Sequence, residues 1–499
     1  MMHFNLSTVG FSWLPILPLL AVALGAIVVM LVGVKVDDED SAGLGFIALI
    51  ALLAAFILTL FTFGQNVTAF NGSLVIDNFA AFFELLIEVA AALTVAMSLE
   101  YAADAGLGGA EYYALVLFGV FGMMLLAAAG DLIAIFLGFE TMSIAVYALA
   151  GFVRRDPKSN EAALKYFLLG AFSTGFLLYG IALVYGAMGT IRLEPIRAAL
   201  GAGIGAEPLL LPGLGLILIG FGFKVAAVPF HMWTPDAYEG APTPITGFMA
   251  VGVKVAAFAG FMRIFMASFG PISAQWSIVL WVIAAITMTA GNVIALVQNN
   301  IKRMLAYSAI AHAGYILVGM AAAGGQAGAA ILYYLLGYAF TNLGAFAIVI
   351  AVEQGGQARE DISSFRGLAR RHPGLAAAMA LFLLSLVGVP PLAGFVGKFY
   401  VFSAALNEGL VTLVIIAAIN SVISAYYYIR VIVAMYMQES GARQSEPLSL
   451  HPGLLISISA AALAVIAIGV YPQPYMGAAV NAYASAISRA ALHATASLR

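Results

Sequence analysis

Residues 224–244 read KVAAVPFHMWTPDAYEGAPTP. They close an apolar run that begins near residue 210, and Pro229 and Pro235 interrupt what would otherwise be one long helix. Proline deletes a backbone donor and clashes with the preceding turn. Within lipid, the carbonyls it frees must find protein or water. A lysine, Lys224, stands before the first proline and a histidine, His231, after it. Further on, VGVPPLAGFVGKF at 387–399 repeats the pattern: Pro390 and Pro391 break an apolar run and Lys398 follows. Two interrupted spans in corresponding positions point to a transporter built from two related halves.

The composition agrees. Of 499 residues, 63% are hydrophobic and 9% charged, against roughly 25% charged in an average soluble domain. The mean hydropathy is +1.03. So few charges cannot cover a soluble surface of this size, so most of the chain faces lipid. The absence of cysteine excludes disulfides, thiolate zinc sites and cysteine-ligated iron–sulfur clusters. A net charge of −3 without a long basic run argues against a nucleic-acid partner. The opening MMHFNLSTVGFSWLPILPLL lacks a basic n-region, so Ser12 to Val34 reads as a retained first helix. GAGIGA at 201–206 lacks the dinucleotide fingerprint, and GFVGKF at 394–399 is not a P-loop. Redox or nucleotide chemistry is therefore expected in other chains, and no cofactor or metal in this one.

A spanning helix needs about 20 mostly apolar residues. Fourteen stretches qualify: 12–34, 42–63, 78–99, 111–129, 131–151, 161–187, 210–238, 243–267, 275–297, 301–322, 327–353, 375–405, 409–437 and 453–472. The expected fold is an all-α polytopic membrane protein of about fourteen transmembrane helices. Within it lie two inverted five-helix repeats, each containing a broken helix. The division is 1–110 as a three-helix addition, 111–270 as the first repeat (spans 4–8), 271–440 as the second (spans 9–13), and 441–499 as span 14 and a tail. Basic residues crowd the loops after odd-numbered spans: Lys35, Arg154, Arg155, Lys158, Lys302, Arg303, Arg359, Arg366, Arg370 and Arg371, with Arg430 and Arg443 flanking the last. Even-numbered loops hold only Arg192, Arg197 and Arg263. By the positive-inside rule both termini face outward, to the periplasm in a bacterial inner membrane. Arg489 and Arg499 in the tail run mildly against this, and the acidic DDED at 37–40 adds little.

Four lysines remain inside predicted helices: Lys165, Lys224, Lys254 and Lys398. Each costs roughly 2.5–3.5 kcal/mol at the bilayer centre. Lys165, four residues into its span, can snorkel to the interface; the other three lie near mid-span or beside a break. A lysine shielded from water can exchange a proton near neutral pH, which suits a relay. Glu140, nine residues past Asp131, lies about 13 Å deep at 1.5 Å per residue and can be an ion-pair partner or a neutral acid. Glu84 and Glu88, four apart, share one face of the third span and carry no assigned role. His312 sits mid-helix in SAIAHAGY. A lone buried histidine is most often a satisfied hydrogen-bonding residue; a bis-histidine haem with His231 has no supporting motif.

Three segments carry a resemblance to a known family: KVAAVPFHMWTPDAYEGAPTP, NNIKRMLAYSAIAHAGY at 299–315, and VGVPPLAGFVGKF. They resemble signatures of the antiporter-like membrane subunits of proton-pumping NADH–quinone oxidoreductase, respiratory complex I, over about residues 110–430. The seventh-span wording and the lack of room for a lateral helix look like the subunit N branch. Multisubunit sodium(potassium)/proton antiporters share the fold and are the alternative. The resemblance implies a proton relay through Glu140, Lys224, Lys254, His312 and Lys398. It gives Glu140 as the ion-pair partner of Lys224, and includes Lys165, His231 and either Tyr427 or Tyr428. It implies no cofactor in this chain, with NADH, FMN, iron–sulfur clusters and quinone held by other subunits. Its implied partners are antiporter-like subunit M, a small membrane subunit on the other side, the lateral helix of subunit L, and the lipid bilayer.

Overall fold

The computed structural model describes residues 13–35, 42–104, 107, 109–203, 207–353, 360–439, 448 and 450–496. Arg359, Arg443, Arg499, the DDED at 37–40 and the end of GAGIGA lie outside them. Each of the fourteen expected spans coincides with helix. Eleven are continuous helices long and apolar enough to cross a membrane, from Ala42–Leu60 to Pro452–Val470. Three more are shorter apolar helices: Leu17–Gly33, Leu210–Lys224 and Pro373–Val387. The last two are the first halves of the broken spans, completed by Thr234–Gly240 and Ala393–Asn407. Pro235 stands in the first turn of its half-helix, where a missing N–H is tolerated, so Pro229 alone marks the first break.

Sequence features explain the sharp junctions. The fourth and fifth spans meet almost without a loop because Asp131 caps the fifth, its Oδ1 accepting from Ala134 N at 2.7 Å. Asp156 and Pro157 start the sixth span in the same way. The eighth span runs Thr243–Ser268 with π-helical turns at Met249–Val253 and Arg263–Ser268, the first ending just before Lys254. Such turns interrupt a regular helix and are common at functional sites.

The eighth, tenth and eleventh spans are almost wholly buried within the bundle. Lys254 and His312, which they carry, therefore face protein. The fourth and fifth spans cross at Gly122, where an added Cβ would meet Gly138 O at 2.9 Å and Met142 N at 2.3 Å. The ninth and tenth cross at Gly291, where it would meet Tyr307 O at 3.0 Å and Ala311 N at 2.7 Å. In both crossings the contacted carbonyl and amide stand at the same spacings from the glycine.

Three features depart from the sequence reading. Arg263 is not in a loop: it lies inside the eighth span, buried, with Nη1 and Nη2 on Asp77 at 3.1 and 2.8 Å and Nε on Ala127 O at 2.6 Å. A charge so fully paired escapes a count that assumes solvated arginines. Residues 67–76 form an antiparallel hairpin, Val67–Ala69 with Leu74–Ile76. The tail holds a helix, Gln473–Ala496, packed on the third and eleventh spans; its alanine-rich, polar sequence is too weakly apolar to read as a span.

A buried line of lysines, histidine and tyrosines as the candidate functional site

Lys224 ends the first half of the seventh span and is buried. Its Nζ lies 5.1, 4.9 and 5.1 Å from the ring centroids of Phe139, Tyr147 and Tyr166. Ring faces offset part of the cost of a desolvated ammonium. The Tyr147 hydroxyl is 3.5 Å away. Glu140 follows Phe139 on the fifth span and accepts from Thr174 Oγ1 at 2.5 Å. No direct ion pair joins Lys224 to Glu140; the lysine is held by rings and the glutamate by Thr174.

The first break is tied at both ends. Trp233 Nε1 donates to the carbonyl of Phe223 at 2.9 Å, and Val228 N donates to Thr287 Oγ1 at 3.0 Å. Trp233 also stacks on Tyr166, with centroids 4.0 Å apart. His231 sits half-buried in the break and hydrogen-bonds to none of the other candidates.

The second group is linked by hydrogen bonds and ring contacts. Lys254 Nζ donates to Ala309 O at 2.5 Å and to the Tyr338 hydroxyl at 3.3 Å. The Tyr338 ring lies 5.4 Å from the His312 ring. His312 bonds Tyr334 through Nδ1 at 2.6 Å and Tyr428 through Nε2 at 3.2 Å. Tyr315 packs edge-on to His312 at 5.6 Å, and the Lys398 ammonium lies 4.8 Å from the centroid of the same ring. Lys398 donates to Leu386 O, Val387 O and Ser421 Oγ, each at 2.9 Å. It thereby satisfies carbonyls that the second break releases, as a broken helix in lipid requires. The tyrosine pair divides: Tyr428 joins His312 and Ser308, whereas Tyr427 donates to Asn292 Oδ1 at 2.9 Å.

Among the described residues no hydrogen-bonding side chain is shared between the Lys224 cage and Lys254. The candidates therefore form two clusters, and Lys165 belongs to neither. It is half-exposed, with Glu161 and Asp236 each 2.6 Å from its Nζ. Sequence reasoning missed Tyr338, Tyr315 and Tyr334, which link the second cluster, and Thr174, which holds Glu140. Their only sequence signal is a hydroxyl in the middle of an apolar span, shared with many packing residues. Among the described residues no group of three or more His, Asp or Glu side chains is placed to hold a metal ion.

Fourteen spans, two of them broken beside a lysine, with further lysines and a histidine buried in the bundle, define an antiporter-type membrane subunit. A family model described as NADH:quinone oxidoreductase/Mrp antiporter, TM, matches residues 129–424. The chain belongs to that family, in the branch of NADH-quinone oxidoreductase subunit N. It is similar to the protein named NADH-quinone oxidoreductase subunit N of Trichlorobacter lovleyi, with 48% identity over 424 residues, 85% of this chain and 87% of the relative. A chain from respiratory complex I of Thermus thermophilus, solved with bound aureothin, matches with a TM-score of 0.79 and 36% identity, covering 93% of this chain and 99% of that one. A chain of the Mrp complex from Dietzia sp. DQ12-45-1b has a TM-score of 0.84 at 21% identity, covering 97% and 99%, a likeness of fold alone.

Proposed function

We propose that this chain is a membrane-arm subunit of an NADH–quinone oxidoreductase and moves protons across a bacterial inner membrane, driven by electron transfer in other subunits. The reading is carried by the buried line Lys254, Tyr338, His312, Tyr315 and Lys398, joined by one hydrogen bond and by ring contacts where lipid would otherwise exclude every charge. Glu140 and Lys224 form the control pair. While Glu140 is ionised, its charge stabilises the caged ammonium. Protonating or displacing Glu140 removes that support, and the Lys224 proton passes towards Lys254, His312 and Lys398. Water bridges the gap between the two clusters and the steps within the second that only ring contacts span. Driving one charge against about 150 mV needs roughly 3.5 kcal/mol. The change in support at Lys224 must supply at least that much.

The same reading places spans 4–8 and 9–13 as two repeats, supported by the matching glycine crossings at Gly122 and Gly291. Both termini face the periplasm. NADH, FMN, iron–sulfur clusters and quinone reside in partner chains, and the neighbours are antiporter-like subunit M, a small membrane subunit and the lateral helix of subunit L. His231, Tyr427 and Tyr428 flank the route.

The test is tagged purification in mild detergent with an NADH–quinone activity assay and mass spectrometry of the co-purifying chains, then proton pumping by Lys224→Ala. The reading expects flavin- and iron–sulfur-bearing subunits, activity, and loss of pumping in the variant. Recovery of small membrane subunits without NADH activity would favour a cation/proton antiporter, and near-normal pumping by Lys224→Ala would sink the relay.

A further inference from the structure

The half-helix Thr234–Gly240 that follows the first break has seven residues and no side-chain cap at its start. So short a helix cannot hold itself. Its two acids are each gripped by two cations from neighbouring spans. Asp236 takes Lys165 of the sixth span at 2.6 Å and Arg303 of the tenth at 2.8 Å. Glu239 takes the same Arg303 at 2.8 Å and Lys158 at 3.0 Å. Glu360 extends the lattice to Lys302 at 3.3 Å and Lys158 at 3.6 Å. Isolated surface ion pairs are worth little, but shared partners make a network.

Both ends of this lattice reach the candidate site. Lys165 is adjacent to Tyr166, which stacks on Trp233 and forms one wall of the Lys224 cage. Arg303 lies in the first turn of the helix that carries Ser308 and His312. Lys224, Lys254 and Lys398 are held by rings, carbonyls and hydroxyls; Lys165 is half-exposed and held by carboxylates.

We propose that Lys165 is a positioning residue and that Lys165, Asp236, Arg303 and Glu239 form an ionic latch. The latch fixes the half-helix between the sixth and tenth spans and so keeps the Lys224 cage in register with the His312 helix. This rests on the proton-translocating reading above.

The test compares variants of the whole complex in inverted membrane vesicles, measuring protons pumped per NADH oxidised. Lys165→Arg keeps the charge and both ion pairs but cannot release a proton, so it retains the wild-type ratio. Lys165→Gln and Asp236→Asn each lower the ratio by at least about twofold. Their combination costs no more than either alone, because both open the same latch. Loss in Lys165→Arg equal to that in Lys165→Gln would overturn the proposal and make Lys165 a proton carrier; unchanged ratios in Lys165→Gln and Asp236→Asn would overturn it outright. Should Asp236→Asn fail to assemble, the two Lys165 variants still decide. Lys224→Arg, expected to abolish pumping, reads the relay separately, so its failure and that of the latch are distinguishable.

Discussion

The ammonium of Lys398 stands 2.9 Å from the carbonyl oxygen of Val387, the last residue of the helix before the second break. The same nitrogen serves Leu386 O and Ser421 Oγ. One side chain thus closes the backbone gap that the break opens and supplies the charge that the proposed relay uses there.

Lys398→Met should therefore do two things. It removes a relay position, so proton pumping by the assembled complex falls to background. It also leaves two buried carbonyls with fewer donors, at about 1–3 kcal/mol for each one unsatisfied. The measurement is pumping together with the thermal midpoint of the purified complex. A variant that pumps normally, or one as stable as wild type, contradicts this dual role.

Tyr338 connects Lys254 to His312 by its hydroxyl on one side and its ring on the other. Tyr338→Phe keeps the ring and deletes the hydroxyl. A hydrogen bond of roughly 1 kcal/mol corresponds to a several-fold effect. Pumping rate should drop several-fold while NADH oxidation by uncoupled membranes stays near normal. Tyr315→Phe should be milder, because both His312 and Lys398 meet the Tyr315 ring. Equal losses in the two variants would count against the hydroxyl's role.

Most of the fold was legible because lipid imposes a length and a composition on each span. The breaks at Pro229 and at Pro390-Pro391 were legible because proline has few other uses inside an apolar run. The candidate site was legible only in its charged members. Lys224, Lys254 and Lys398 stand out against a background of 9% charged residues. The tyrosines between them do not, since 21 tyrosines serve packing as readily as proton transfer. Arg263 deceived the topology count because its partner Asp77 lies 186 residues away, a pairing that no local pattern encodes. The tail helix Gln473–Ala496 escaped for a different reason: its stability comes from docking on the third and eleventh spans.

The two glycine crossings make a stability prediction that is independent of proton chemistry. A methyl at Gly122 would lie 2.3 Å from Met142 N, and one at Gly291 would lie 2.7 Å from Ala311 N. Backbone atoms cannot step aside cheaply, so Gly122→Ala and Gly291→Ala should each destabilise by about 1–3 kcal/mol. Gly215→Ala, whose methyl would meet nothing within 4 Å, is the control. Lower yield and thermal midpoint in the first two, against an unchanged control, is the expected pattern.

Glu140 offers the sharpest separation of charge from position. Its carboxylate is held by Thr174 and makes no direct ion pair with Lys224. Glu140→Gln keeps the side chain's shape and its ability to accept from Thr174 but deletes the charge. If charge is what matters, this variant should lose pumping as fully as Lys224→Ala. Thr174→Val keeps the charge and deletes the hydrogen bond that positions it, so its loss should be partial, on the order of fivefold for a bond of about 1 kcal/mol. Measuring pumping in both, at equal complex content, ranks the two contributions. Were Thr174→Val to cost as much as Glu140→Gln, the orientation of the carboxylate would govern transfer. The support that Glu140 gives Lys224 would then act through a direct contact formed during turnover.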